Sequence, residues 1–150
     1  MRLVVPACAP VGAVGKTAVM KVRLELPFTI TTWDVFPDEL PPGQQDAPDT
    51  GRVVLAKTYA GDDLTGSASG HALMTRGELG ASYVAQERIV GTLRGRFGSF
   101  VLEHGATMGE GRRTAMRADI VAGSGTGGLA GISGSGMVEH ELLTLDVDLD

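Results

Sequence analysis

A single cysteine, Cys8, stands in a chain of 150 residues, which excludes an internal disulfide framework and any site built on clustered thiolates. Such cysteine usage suits a reducing compartment, and a cytoplasmic location is the expectation. Aromatic residues make up 5% of the chain and the formal charge is -5, so it lacks both a basic stripe to neutralise phosphates and a series of stacking platforms for bases. Nucleic acid is not an expected partner. No apolar run reaches the roughly 20 residues that a membrane-crossing helix needs, so no membrane partner is expected either. His71, His104 and His140 have no HxH or HxxxH spacing, which leaves no metal site to name. There is no GxxxxGK[ST] and no GxSxG in a strand-to-helix setting, so neither a phosphate cradle nor a nucleophile elbow is expected. No cofactor is implied.

What remains is ordinary globular material, 43% hydrophobic and 21% charged, in a length that suits one domain with one core. Residues 1–20 read as a flexible N-terminal tail. Leu3 to Ala9 has some of the apolar character of an export signal, but Pro6 and Pro10 interrupt it. Residues 21–150 read as the folded domain. Between Val22 and Val35 the apolar residues Val22, Leu24, Leu26, Phe28 and Ile30 alternate with polar ones, the signature of a strand with one buried face. That alternation places Trp33 on the opposite face. Residues 37–50 hold Pro37, Pro41, Pro42, Gly43 and Pro48 among acidic residues, so this stretch reads as a long loop and either a lid or a plain surface excursion.

Beyond the loop, strands are expected over Arg52 to Ala60, Leu64 to Thr75, Ala81 to Thr92, Phe97 to Thr107, Arg113 to Ala122, Met137 to Val138 and Leu142 to Leu149. The turns between them are short and bear glycine. No helical period competes with this pattern. Gly123 to Gly136 is too glycine-dense for a plain strand and marks a close backbone approach or a sharp corner. The expectation is an all-β fold, an antiparallel up-and-down barrel of about eight strands, a number at which the interior is either filled by side chains or holds one small ligand.

Four ordered runs carry a resemblance: Lys57 to Gly66, Tyr83 to Leu93, Gly98 to His104, and Gly123 to Gly136. Together they resemble the domain-of-unknown-function family 3224, from about Phe28 to the C-terminus. That family looks like the allene oxide cyclase type of barrel, whose relatives include dirigent proteins and small-molecule cyclases. The resemblance implies the fold, and it suggests cofactor-independent cyclisation or isomerisation of a polyketide- or lipid-like substrate. A fold alone does not assign an activity.

Candidate chemistry falls on a few residues. Glu87 shares a strand face with Ala81, Tyr83, Ala85 and Ile89, where desolvation would favour the neutral carboxyl and make it a general acid or base. The alternative is a pair with Arg88 or Arg96. Glu103 and His104 are neighbours on one strand and must point to opposite sides. His104 follows the face of Phe100 and Leu102, which favours the interior and a proton-exchanging or ligand-contacting role, against that of a satisfied core histidine. Glu103, Tyr59, Tyr83, Trp33 and Lys57 complete the set as ligand-binding candidates. The tyrosines would orient a carbonyl or only anchor packing, and Trp33 would cap a pocket mouth. An inward Lys57 needs a carboxylate partner or a snorkelling position.

Two functions therefore compete. One is a small-molecule-binding barrel for an apolar ligand, with or without catalysis; the other is a structural or oligomerising barrel with a filled interior. A cavity above roughly 300 Å³ lined by Glu87, Tyr83 or His104 would favour the first. Apolar residues on both faces of Val53-Val54-Leu55 and Leu142-Leu143 make a homodimer a candidate assembly.

Overall fold

The computed structural model describes residues 21–149, with the backbone alone at residues 112 and 113. The expected tail at residues 1–20 lies outside them. The described residues form nine strands: β1 (Val22–Pro37), β2 (Asp49–Ala60), β3 (Leu64–Arg76), β4 (Gly80–Leu93), β5 (Arg96–Gly109), β6 (Arg112–Ile120), β7 (Thr126–Gly127), β8 (Ser133–Glu139) and β9 (Leu142–Asp148). All pairings are antiparallel. Each of β1 to β5 pairs with the next, then β6 with β8, β8 with β9, and β9 with β1, so the sheet closes into a ring. The two-residue β7 attaches to β5 at Gly98 and Ser99.

Register divides the ring into two halves. In the lower half, Val22 to Pro27 of β1 pair with β9, and Ala118 and Asp119 of β6 pair with β8. In the upper half, Thr29 to Pro37 of β1 pair with β2 alone, and Arg112 to Arg117 of β6 pair with β5 alone. The seven-residue strands β8 and β9 turn back at His140 and Glu141, both at positive φ, and the last bond on that side runs from the Phe28 amide to the Glu141 carbonyl. Among the described residues, the upper half is thus a curved trough with two unpaired strand edges.

The lower half is filled. Leu24, Leu26, Leu93, Phe100, Leu102, Leu143, Leu145 and Val147 are buried in one cluster, and Leu129 and Ile132 from the β6–β8 connection close its floor. At about 25 cal/mol per Å² of apolar surface removed from water, this cluster is the main stabilising element. A second, smaller cluster of Val53, Leu55, Ala72 and Ala85, with Met74 and Tyr83 packed against it, lines the trough.

Three details differ from the sequence reading. First, β1 has an irregularity between Ile30 and Thr32, where two steps on β1 match one on β2. The extra residue inverts the alternation, so Trp33 pairs with the inward Leu55 and Val35 with the inward Val53, while Phe36 pairs with Arg52 on the outside. Trp33 therefore faces the trough, at 47% exposure. Second, the loop is shorter than residues 37–50: Pro37 pairs with Gly51, and Asp49 and Thr50 already belong to β2. Third, the glycine-rich stretch is part strand. Gly136 lies within β8, at a position where a Cβ would sit 1.8 Å from the Thr144 carbonyl oxygen, so the close approach there requires glycine.

Candidate functional site

The inward residues of β4 descend in the order Ala81, Tyr83, Ala85, Glu87, Ile89, and those of β5 in the order Met108, Ala106, His104, Leu102, Phe100. Tyr83 pairs directly with Ala106 and Glu87 with Leu102, so His104 lies on the diagonal of both. Diagonal neighbours on one sheet face are within reach of long and aromatic side chains. The Tyr83 hydroxyl is 3.2 Å from His104 Nδ1, with the two rings edge to face at 5.5 Å between centroids. On its far side, His104 Nε2 faces Glu87 Oε2 at 3.5 Å.

Lys57 reaches this group across β3, whose inward positions Gly66, Ala68, Gly70 and Ala72 place no bulk in the way. Gly70 is required there, since a Cβ would stand 2.0 Å from the Gln86 carbonyl oxygen and 2.6 Å from Glu87 Cα. Lys57 Nζ donates to Glu87 Oε1 at 3.1 Å and lies 3.0 Å from Oε2, close enough for an ion pair but without an aligned hydrogen bond to that oxygen. The ammonium also lies 4.2 Å from the centre of the Phe28 ring. Lys57, Glu87 and His104 are 4%, 1% and 3% exposed, buried polar residues at the boundary between the filled half and the trough.

Three enclosed polar atoms, the Tyr59 hydroxyl, Glu87 Oε2 and His104 Nε2, have no aligned hydrogen-bond partner. Burial alone would raise the Glu87 carboxyl, but the facing His104 and the charge of Lys57 outweigh it and hold the group below its ordinary range. Glu87 is therefore a carboxylate, contrary to the expectation that desolvation keeps it neutral. Burial first, and the Glu87 charge second, push the Tyr83 phenol up, and the same two causes push Tyr59 up further. Both phenols stay protonated where Glu87 is ionised. In the tautomer that points its N–H at Glu87, Nδ1 is free to accept from Tyr83.

Chemically, this is a hydroxyl, an imidazole and a carboxylate in sequence, with the hydroxyl nearest the open end. Such an order lets the hydroxyl give or take a proton while the imidazole is oriented from behind. Above Tyr83, one pleat nearer the mouth, Ala81 belongs to the lining of a groove of about 1210 Å³. Gln45 to Asp49 of the proline-bearing loop, the β3–β4 turn, and Met108 to Glu110 form the rest of it. The groove is ample for a small molecule, but Glu87, His104 and Tyr83 are not in its walls. The volume and the polar cluster are neighbours, stacked along β4 and β5.

The family described as Protein of unknown function (DUF3224) matches residues 25–148. The chain belongs to this family. A crystal structure of a DUF3224 protein of unknown function from Shewanella oneidensis MR-1, at 1.84 Å resolution, is similar with a TM-score of 0.70 and 27% identity. The match covers 87% of this chain and 98% of that one. No curated protein matches.

Of the residues singled out in this DUF3224 chain, the fold brings together Glu87, His104, Tyr83 and Lys57, with Tyr59 adjoining them below. Glu87 pairs with Lys57, and neither Arg88 nor Arg96 is its partner; Arg96 bonds the Leu149 carbonyl instead. Trp33 lies above them on the trough wall. Glu103 is not part of the group: it faces outward and pairs with Arg117 at 2.8 Å. Its adjacency to an inward His104 forces that side. Sequence reasoning passed over Val35, Ala72 and Met74 as trough-lining residues. For Val35 the only available signal was the bulge, which alternation by itself does not reveal. Among the described residues, no group of three or more His, Cys, Asp and Glu could hold a metal ion, and no helix is long and apolar enough to cross a membrane.

Proposed function

We propose that the ring is a barrel of the allene oxide cyclase-like type. In this reading it binds a small apolar molecule in its upper trough and acts on it as a cofactor-independent isomerase or cyclase. The observation that carries the reading is the chain from the Tyr83 hydroxyl through His104 to the Glu87 carboxylate, buried at the base of an apolar trough. Tyr83 is the group that meets the ligand: its phenol accepts from a ligand hydroxyl while donating to His104 Nδ1, relaying a proton from ligand to imidazole, or turns from Nδ1 to donate to a ligand carbonyl. Glu87 fixes the ring and stabilises the imidazolium formed when His104 takes that proton. Lys57 keeps Glu87 ionised without touching the ligand. Trp33, Val53, Leu55 and Ala72 supply shape, holding a reactive substrate in one conformation.

Tyr83→Phe tests this directly, because the ring and its packing stay. The hydroxyl's bond to His104 contributes about 0.5–1.5 kcal/mol, so melting changes little. Ligand affinity or turnover falls at least about tenfold, equivalent to 1.4 kcal/mol. Equal ligand handling in the variant would remove Tyr83 from the mechanism. A second reading, a structural ring with a filled interior, is favoured by the lower half, where Leu93, Phe100, Leu143, Leu145 and Val147 are all 0% exposed. That reading expects no small molecule to raise the melting temperature.

A further inference from the structure

The charge distribution around the trough restricts what kind of polar head a ligand carries. We infer that the ligand is an apolar molecule whose head is a neutral oxygen, a ketone, aldehyde or alcohol, and that the site discriminates against carboxylates. The inference rests on the binding reading given above and adds the ligand's chemical class to it.

Three observations converge. The base of the trough already holds a balanced pair, one ammonium from Lys57 and one carboxylate from Glu87, at 3.0 Å. Both ring nitrogens of His104 face protein groups, Tyr83 on one side and Glu87 on the other. A ligand carboxylate would thus be buried beside Glu87 with no cation left to meet it, and an unpaired charge in a site this dry is strongly disfavoured. A neutral oxygen brings no charge to leave unpaired: an alcohol donates to the Tyr83 oxygen while that phenol donates to His104, and a ketone accepts from the phenol once it turns from Nδ1.

The second observation is at the mouth. Among the described side chains, the groove above Tyr83 is lined by Asp46, Asp49, Glu78 and Glu110 together with Arg76. Those carboxylates disfavour an anion held in the groove, and such fields govern encounter as well as affinity. The third observation is the apolar wall level with His104 and Glu87, one row below Tyr83. Val53, Leu55, Ala72 and Ala85 are buried apolar residues with Met74 and Tyr83 against them, and they offer no hydrogen bond to a second polar group. An apolar body against that wall with one neutral head at Tyr83 fits this set.

The test is a chain-matched series, 2-decanone, 1-decanol and decanoate, titrated against the whole protein at pH 7 and low salt by calorimetry and Trp33 fluorescence. The ketone or the alcohol is expected to bind at least about tenfold more tightly than decanoate. The double variant Glu78→Lys with Glu110→Lys leaves the base of the trough untouched and should narrow that gap several-fold by improving decanoate binding. Decanoate binding as tightly as the neutral compounds to the unmodified protein would overturn the inference while leaving the binding reading in place. Binding of none of the three would overturn both. Ketone binding that Tyr83→Phe leaves unchanged would place the head elsewhere and also overturn the inference.

Discussion

The two halves of the ring are made largely from the same strands, yet they solve different problems. Below the level of Phe28 the ring is closed through β8 and β9, and the inward residues are mostly leucine, isoleucine, valine and phenylalanine in one cluster. Above it, β1 has left β9 and β6 has left β8, and small or polar residues including Gly70, Ala72, Ala85, Lys57, Glu87 and His104 join Val53 and Leu55 on the inward face. A core meant only for stability would carry the leucines of the lower half upward. Replacing well-packed apolar residues by a buried ion pair is at best neutral for stability, so the charged layer marks where the fold gives up stability. Stability resides below and specificity above.

That contrast can be broken most forcefully at Lys57. Lys57→Met strands the Glu87 carboxylate without its cation, and a loss of about 3–5 kcal/mol is expected in urea unfolding. The double variant Lys57→Met with Glu87→Leu should recover most of the loss, because no charge is then left unpaired. Acid provides the complementary readout. Glu87 has a folded-state pKa below its unfolded value, so its contribution is full above the ordinary carboxylate range and is lost as pH falls through the lowered folded value. Glu87→Gln should flatten that part of the stability profile. If Lys57→Met proves neutral, the pair is not compensating anything.

A pair of truncations sharpens the comparison. Leu145→Ala empties a fully buried position of the lower cluster and should cost about 2–5 kcal/mol without altering ligand affinity per folded molecule. Trp33→Ala, on the half-open wall, should cost less than about 1 kcal/mol and weaken binding of an apolar ligand instead. Urea melts and ligand titrations on both variants decide it, and the account fails if the two effects are exchanged.

Much of this was legible in the sequence, and the parts that were not have physical reasons. The all-β pattern follows from alternation along Leu24, Leu26, Phe28 and along Leu143, Leu145, Val147, and the structure keeps both. His104 facing inward and Glu103 outward follows from strand geometry alone. What alternation could not supply was the bulge after Ile30, because an inserted residue leaves the local composition unchanged while reversing every face beyond it. Nor could it tell which cation meets Glu87. The Lys57 partnership spans β2, β3 and β4 and depends on Gly70 and Ala68 being small, a relation among three strands rather than within one. The direction of the Glu87 shift followed from His104 together with that missing partner.

The most direct test of the division is a map of where a ligand acts. Amide and indole spectra recorded while 2-decanone is titrated should show movement at the single tryptophan indole of Trp33 and at the amides of Tyr83, Ala85 and His104. Leu24, Phe100 and Leu145 should stay still. Movement confined to the lower cluster, or none anywhere at saturating ligand, would contradict the account.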